Sequence, residues 1–365
     1  MKRLIIPFFL SNKGCRSRCI FCSQSISTGL HPHEITREYF CTTVENHLHS
    51  AGNSQRETQV AFYGGNFTGM HEHEQERLLK YANDFVKSGL VHSVRISTRP
   101  DFINEKCLRL LKVHFVKTVE IGGQSMIDDV LERAQRGHTA DDTKRAFVHL
   151  NDMGFETALH LMIGLPGDTD ERFFHSVEEA VRLRPQAVRL HPALVFKDTM
   201  LASMYKAGDY HPLSLESAVS LSLRALIRFR QEGIPVIRMG LYTSEEMEKK
   251  ENLLAGPYHP AFGALVESSL FLEMASALLA KVEPLKSGVT FFVAPSDVSN
   301  LRGLNNGNLK LLRGKAGDHP LEICEEPGQK KGLLALVCDG NRYTALPSPH
   351  GEGIFKINRQ TAALR

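Results

Sequence analysis

Short apolar runs alternate with amphipathic stretches along the first two-thirds of the chain. Apolar runs at residues 4–10, 59–63, 93–97, 118–121, 157–163, 187–190 and 236–239 predict strands. Between most of them lie segments of helical period. Residues 73–87 place Leu78, Leu79, Ala82 and Phe85 on one face, and residues 141–153 and 170–184 read the same way. Strands alternating with helices predict a parallel sheet with helical crossovers. The fold class expected is α/β, a full or partial TIM-like (β/α) barrel of about six units. In such barrels chemistry sits where strands end and loops begin.

A charge run at residues 244–251 follows the last of these strands and marks the expected junction. The division is then a barrel over 1–243 and a smaller α+β domain over 244–365. In the second part residues 262–282 read as a helix, and 288–294 and 332–339 as strands. Residues 289–312, with a glycine-bearing loop between two short helical stretches, vaguely resemble a KH domain, which holds a nucleic-acid backbone at a GxxG loop. Here the glycines are Gly303 and Gly307, a GxxxG spacing. An ordinary polar loop between helices is the other reading.

Composition adds limits. A chain of 365 residues with 42% hydrophobic and 23% charged residues can bury a sizeable core. A net charge of +3 permits an anionic partner such as RNA without demanding one. No uninterrupted apolar run is long enough to span a bilayer, so no membrane partner is expected. The opening Met1-Lys2-Arg3-Leu4-Ile5-Ile6-Pro7-Phe8-Phe9-Leu10 lacks a small-residue cleavage site and reads as a strand rather than a signal peptide. Seven cysteines are an odd number, and three of them crowd into eight residues. That is a metal pattern of a reducing compartment, which points to the cytoplasm.

The crowded cysteines form Cys15-Arg16-Ser17-Arg18-Cys19-Ile20-Phe21-Cys22, a C-x3-C-x2-C spacing directly after a strand. Three close thiolates can hold three irons of a 4Fe–4S cubane and leave the fourth iron open to a small molecule. Zinc in a Cys3His site, with His31 or His33 as fourth ligand, is the alternative from spacing alone. Cys41, Cys107, Cys324 and Cys338 lack ligand spacing and read as ordinary thiols.

The cysteine loop resembles the hallmark of the radical S-adenosylmethionine superfamily, with Phe21 at the aromatic position before the last cysteine. Tyr63-Gly64-Gly65-Asn66 and Ile163-Gly164-Leu165-Pro166-Gly167 resemble two further motifs of that superfamily. Ile96-Ser97-Thr98-Arg99-Pro100-Asp101, Val119-Glu120-Ile121-Gly122-Gly123-Gln124-Ser125, Asp129-Val130-Leu131-Glu132-Arg133 and Arg136-Gly137-His138-Thr139 narrow the likeness to the catalytic subunit of Elongator, over residues 1–242. Asn66 stands where that group more usually has Ser or Thr, and Gly123 where it has Val. Acetyltransferase and N-terminal basic segments of that subunit are not seen in the sequence. The pattern also overlaps with oxygen-independent coproporphyrinogen oxidases.

The resemblance implies two cofactors, a 4Fe–4S cluster on Cys15, Cys19 and Cys22, and S-adenosylmethionine. It places Phe21 near the adenine, the backbone of Gly64, Gly65 and Asn66 at the amino group of the methionine moiety, and Gly164 and Leu165 along the adenosine. Ser97, Gln124, Arg136 and His160 stand where such enzymes contact the ribose or carboxylate. The implied reaction is reductive cleavage to a 5′-deoxyadenosyl radical, which abstracts hydrogen from a substrate such as tRNA. An electron donor of reduced flavodoxin or ferredoxin type is implied as a partner. No side chain identifies the target, and none is assigned a catalytic role. Two other classes stay open: a coproporphyrinogen oxidase-like enzyme acting on a small molecule, disfavoured by Ser23-Gln24-Ser25 after the cluster loop, and a zinc-bearing RNA-binding module without catalysis. Taken singly, Gly164–Gly167 could be a turn, Arg136 an ion-pair residue and His160 a core histidine.

Overall fold

The computed structural model describes residues 3–16, 18–30, 34–52, 56–348 and 354–361. It divides into two compact units, Met1–Ser214 with Leu241–Pro260, and Leu215–Gly240 with Ala261–Arg365. The chain therefore passes between units three times, and a single boundary at 243/244 does not describe it. The charge run taken for a junction stays with the first unit. There Ser244 Oγ donates to Ile26 O at 2.6 Å and accepts from Met247 N at 3.1 Å, and Met247 packs with Leu194 and Phe196.

The first unit contributes six strands of a parallel sheet: β1 (Arg3–Phe9), β2 (Glu57–Tyr63), β3 (Ser93–Thr98), β4 (Val116–Gln124), β5 (Glu156–Ile163) and β6 (Ala187–Pro192). Each pairs in parallel with the next in sequence. Helices Arg37–Ala51, Glu72–Lys87, Glu105–Val113, Ala140–Asp152 and Asp170–Leu183 fill the crossovers. This is the TIM-like partial barrel expected from the alternation.

Alternation along each strand separates two faces. On the helix side Phe8 stacks on Phe40 with centroids 4.4 Å apart, and Phe62 lies 5.4 Å from Phe67. Such pairs add about 0.5–1.5 kcal/mol each beyond their buried area. Caps fix where the helices begin. Thr36 Oγ1 accepts from Tyr39 N at 3.2 Å, and Thr139 with Asp142 closes a capping box. Loss of either cap would cost about 1 kcal/mol.

In the second unit a five-stranded sheet runs Leu321–Glu325, Val289–Val293, Leu334–Cys338, Asn341–Pro347, Phe355–Thr361. Its first pair is parallel and the others are antiparallel. The parallel pair is joined by helices Val298–Arg302 and Gly307–Ala316. In their loop Gly303, Asn305 and Asn306 have positive φ, whereas Gly307 already has helical φ/ψ as the first residue of the second helix. Helix Phe262–Val282 is long and apolar enough, by length and composition, to cross a membrane, which the sequence reading did not foresee. Half of it is buried, including Phe271, Met274 and Leu278, and its Glu267 pairs with Arg230 at 2.5 Å, so it serves as a core helix of this unit.

Candidate active site at the strand ends

All six parallel strands finish on one edge of the sheet, and the sequence motifs follow those ends. After β1 the chain turns through Asn12 and Gly14, both at positive φ, into Cys15. Leu10 N donates to Tyr63 O at 2.7 Å and Asn66 N donates to Lys13 O at 2.8 Å. The loops after β1 and β2 thus lie backbone against backbone. Only glycine permits this approach: a Cβ on Gly65 would stand 2.5 Å from Lys13 O, and one on Gly14 2.1 Å from Asn66 O. Asn66 is wholly buried. Its Nδ2 donates to Gly14 O at 3.1 Å, and its Oδ1 accepts from Thr98 Oγ1 at 2.6 Å and Arg99 N at 3.1 Å. The Asn66 side chain and the Gly65 Cβ position therefore hold the cysteine loop rather than face a ligand. Gln24, absent from the candidates read from sequence, completes the latch: its Oε1 accepts from Asn12 N at 2.6 Å and Gly65 N at 3.1 Å. Its place two residues after Cys22 is the only sequence signal for it.

Cys15, Cys19 and Cys22 are all partly buried free thiols. Burial and the neighbouring Cys19 and Cys15 push the Cys22 thiol up to about 12, and burial with Cys19 pushes Cys15 up. Metal coordination would draw these protons off. Among the described residues no group of three His, Cys, Asp or Glu converges to hold a single ion. A cubane, whose three ligated irons are distinct, does not require that convergence. His31 and His33 lie outside the described residues.

Arg136, 5% exposed, reaches this loop from beyond helix Asp128–Arg133. Its Nη1 donates to Cys19 Sγ at 2.9 Å and its Nη2 to Gly122 O at 2.6 Å. Gly122 precedes a bulge in β4 that leaves Gln124 at φ 68. A Cβ on Gly122 would lie 3.0 Å from Gln124 Nε2 and 3.4 Å from Arg136 Nη2, so the two candidates meet over this glycine. Gln124 Oε1, Arg136 Nε, His138 Nδ1 and His160 Nε2 are buried without a hydrogen-bond partner among the described residues. Natural interiors rarely leave such atoms unsatisfied. Arg136 Nε and Gln124 Oε1, open beside the guanidinium that reaches Cys19, fit a polar ligand such as S-adenosylmethionine. Burial, with Arg189 and Arg136 nearby, lowers His160 to about 3, and its ring meets that of His191 edge on at 4.2 Å. Ser97 is partly buried and shares the strand face of Arg95.

Phe21 packs against two apolar clusters, one containing Tyr210 and Leu201, the other Leu165 and Met162. It thereby joins Gly164 and Leu165. A cavity of about 350 Å³ opens there, lined in part by Arg133, Gly164, Asp168, Tyr210 and Leu213. Tyr210 OH donates to Gly164 O at 2.7 Å. Burial raises Asp168 to about 7. Most motif residues thus fall into three groups, the latch, the sulfur–Arg136–Gln124 group, and Phe21 packed beside the Leu165 cavity, while Ser97 and His160 stand on their own strands.

Below them, on the inner strand face, runs a charged layer that sequence reading missed. Arg95 Nη1 donates to Glu120 Oε1 at 2.7 Å, Arg189 Nε lies 2.8 Å from Glu120 Oε2, and Tyr63 OH donates to Glu120 Oε1 at 3.0 Å. One residue on each of four strands makes this layer, and nothing local in the sequence joins them.

Comparison with known proteins agrees with this geometry. A family model described as "Radical SAM superfamily" matches residues 10–180, and one described as "Radical_SAM C-terminal domain" matches 185–271. The chain belongs to the radical S-adenosylmethionine superfamily. Such enzymes use a 4Fe–4S cluster and S-adenosylmethionine, and this chain is one of them. The reading as a zinc-bearing module without catalysis falls with that membership. The tRNA uridine(34) acetyltransferase of Methanocaldococcus jannaschii is 36% identical over 129 residues, 34% of this chain and 24% of that protein. The heme chaperone HemW of Bacillus subtilis is 26% identical over 216 residues, 58% of this chain and 57% of that protein. The chain therefore spans well under two-thirds of these curated relatives. The solved structure of Methanocaldococcus infernus Elp3 with an N-terminal deletion shares the fold, with TM-score 0.57 and 21% identity over 73% of this chain and 62% of that one.

Proposed function

We propose that Cys15, Cys19 and Cys22 ligate the cluster and that the chain reductively cleaves S-adenosylmethionine to a 5′-deoxyadenosyl radical, which takes hydrogen from an RNA, most simply a tRNA. The observation that carries this reading is the meeting of three thiols, Arg136 and the unsatisfied Gln124 Oε1 at one edge of a parallel sheet. When bound, the cluster would supply the one electron that cleaves the sulfonium carbon–sulfur bond. The chain's own part is to hold and enclose. Gln124 and Arg136 offer polar atoms to the ribose and amino-acid portion, Ser97 and His160 stand along the same inner faces, and Phe21 with Leu165 packs beside the cavity near the adenosine. Enclosure at the strand ends keeps water and other hydrogen donors from the radical. Reduction calls for a small one-electron donor of flavodoxin or ferredoxin type. RNA as substrate is supported by the likeness to tRNA uridine(34) acetyltransferases and by Arg16 and Arg18, both exposed on the cluster loop. It is supported also by Arg302 and Arg313, which line a cavity of about 270 Å³ in the second unit. The cytoplasm, a reducing compartment, suits the free thiols and these partners.

The test begins with anaerobic protein, which should carry about four irons and four sulfides per chain. After reduction by dithionite it should form 5′-deoxyadenosine, read by chromatography. Cys15→Ala, Cys19→Ala and Cys22→Ala should each abolish both. Bulk tRNA should raise turnover and bind with an affinity that falls steeply with salt. An intact cluster without any 5′-deoxyadenosine would overturn the reaction. Turnover raised by a porphyrin and not by tRNA would replace RNA with a small molecule, the reading that the HemW likeness favours.

A further inference from the structure

Arg136 presents three N–H faces to three different surroundings. Nη1 is on the Cys19 sulfur, Nη2 is on the Gly122 carbonyl, and Nε is buried with no partner among the described residues. The fork cannot swing away from the sulfur without also breaking the 2.6 Å bond at the β4 bulge. A buried cation fixed against a ligand sulfur has a definite electronic effect. It draws negative charge from the sulfur and favours the reduced cluster, which is one unit more negative, over the oxidised one.

We propose that Arg136 sets the reduction potential of the cluster through the Cys19 sulfur, and that its open Nε couples that potential to the ligand held beside Gln124. This rests on the reading that Cys15, Cys19 and Cys22 hold the cluster. The step concerned is the uptake of one electron from an external donor; no bond of the chain forms or breaks in it. Toward the cluster Arg136 acts through the Cys19 sulfur and is a positioning residue, while its Nε faces the ligand itself. A ligand oxygen taking up Nε would share the guanidinium charge now spent on Cys19, so the potential should change when S-adenosylmethionine binds.

The experiment is a redox titration of the anaerobic full chain followed by electron paramagnetic resonance, for the wild type, Arg136→Gln and Arg136→Lys, with and without S-adenosylmethionine. Iron and sulfide are measured on every sample. Without the ligand, Arg136→Gln should lower the reduced-to-oxidised ratio at a fixed potential about tenfold, a shift of about 59 mV to more negative values for a one-electron couple. Arg136→Lys keeps the charge but not the fork and should shift less. The ligand-induced change seen in the wild type should shrink in Arg136→Gln. A wild type without iron would defeat the ligand assignment itself. Four irons in every sample with equal midpoints would overturn the role of Arg136 and leave that assignment standing. Should Arg136→Gln fail to hold a cluster, arginine labelled with 15N decides between the wild type and Arg136→Lys: a hyperfine coupling to the reduced cluster that is present in the first and lost in the second is expected, and equal spectra overturn the proposal.

Discussion

Gln24 and Gly65 are joined by a 3.1 Å hydrogen bond from the Gly65 N–H to the Gln24 Oε1, the same oxygen that accepts from Asn12 N. One side chain thus ties together the loop that carries the cysteines and the loop after β2. Gln24→Ala leaves both N–H groups without this acceptor. The expected cost is about 0.5–1.5 kcal/mol of stability, since water can reach the exposed Asn12 N–H. Iron per chain after anaerobic reconstitution should fall while the fold, followed by circular dichroism, persists. Unchanged iron content and melting temperature would show the latch to be idle.

Glu120 stands between Arg95 and Arg189, and the Glu120 and Arg95 side chains are only 6% and 5% exposed. Removing the shared carboxylate strands two guanidiniums in a buried layer. Glu120→Gln should cost about 3–5 kcal/mol in chemical denaturation. Arg189→Met should cost less, since Arg95 still faces Glu120. Equal losses in the two variants would contradict this account.

Acid and base act on the first unit with opposite signs. His160 and His138 are lowered from 6.5 to about 3 and about 4, in each case chiefly by burial. Their contribution is complete above 6.5 and is lost as pH falls below it, because the unfolded chain takes up protons first. Asp168 is raised by burial from 3.8 to about 7. Its contribution is complete below 3.8 and is lost as pH rises through 7. Asp168→Asn removes only the second effect. The stability difference between variant and wild type should therefore grow in favour of the variant from pH 4 to 7 and then level off. A difference independent of pH would show that Asp168 is not protonated in the folded protein.

The strands of the first unit were legible because buried parallel strands read as plain apolar runs. β4 was read too short, as 118–121 against Val116–Gln124, because Gly122, Gly123 and Gln124 at its bulge carry no apolar signal. The strands Asn341–Pro347 and Phe355–Thr361 were missed because polar residues such as Asn341, Arg342, Lys356 and Arg359 break any apolar run. At the site, motif spacing named the right neighbourhoods but not the direction of every side chain. The Asn66 motif was read for its backbone, and nothing in it foretold that the side-chain amide is spent on Gly14, Thr98 and Arg99. Arg136 was read as a ligand contact, and nothing in its local sequence told of the Cys19 sulfur, 117 residues away. The layer of Arg95, Glu120 and Arg189 has the same cause: each lies alone on its own strand.

Because each of the six strands pairs with its neighbour in sequence, the sheet can grow at one edge as the chain leaves the ribosome, with no strand threaded between two already placed. The partners that hold the cysteine loop come early in the chain, at Gln24, Gly65 and Asn66, with Thr98 and Arg99 fixing the Asn66 amide. The guanidinium that sits on Cys19 is synthesised some seventy residues after Asn66. The side of the loop that faces β4 is thus completed by a residue made well after the loop itself.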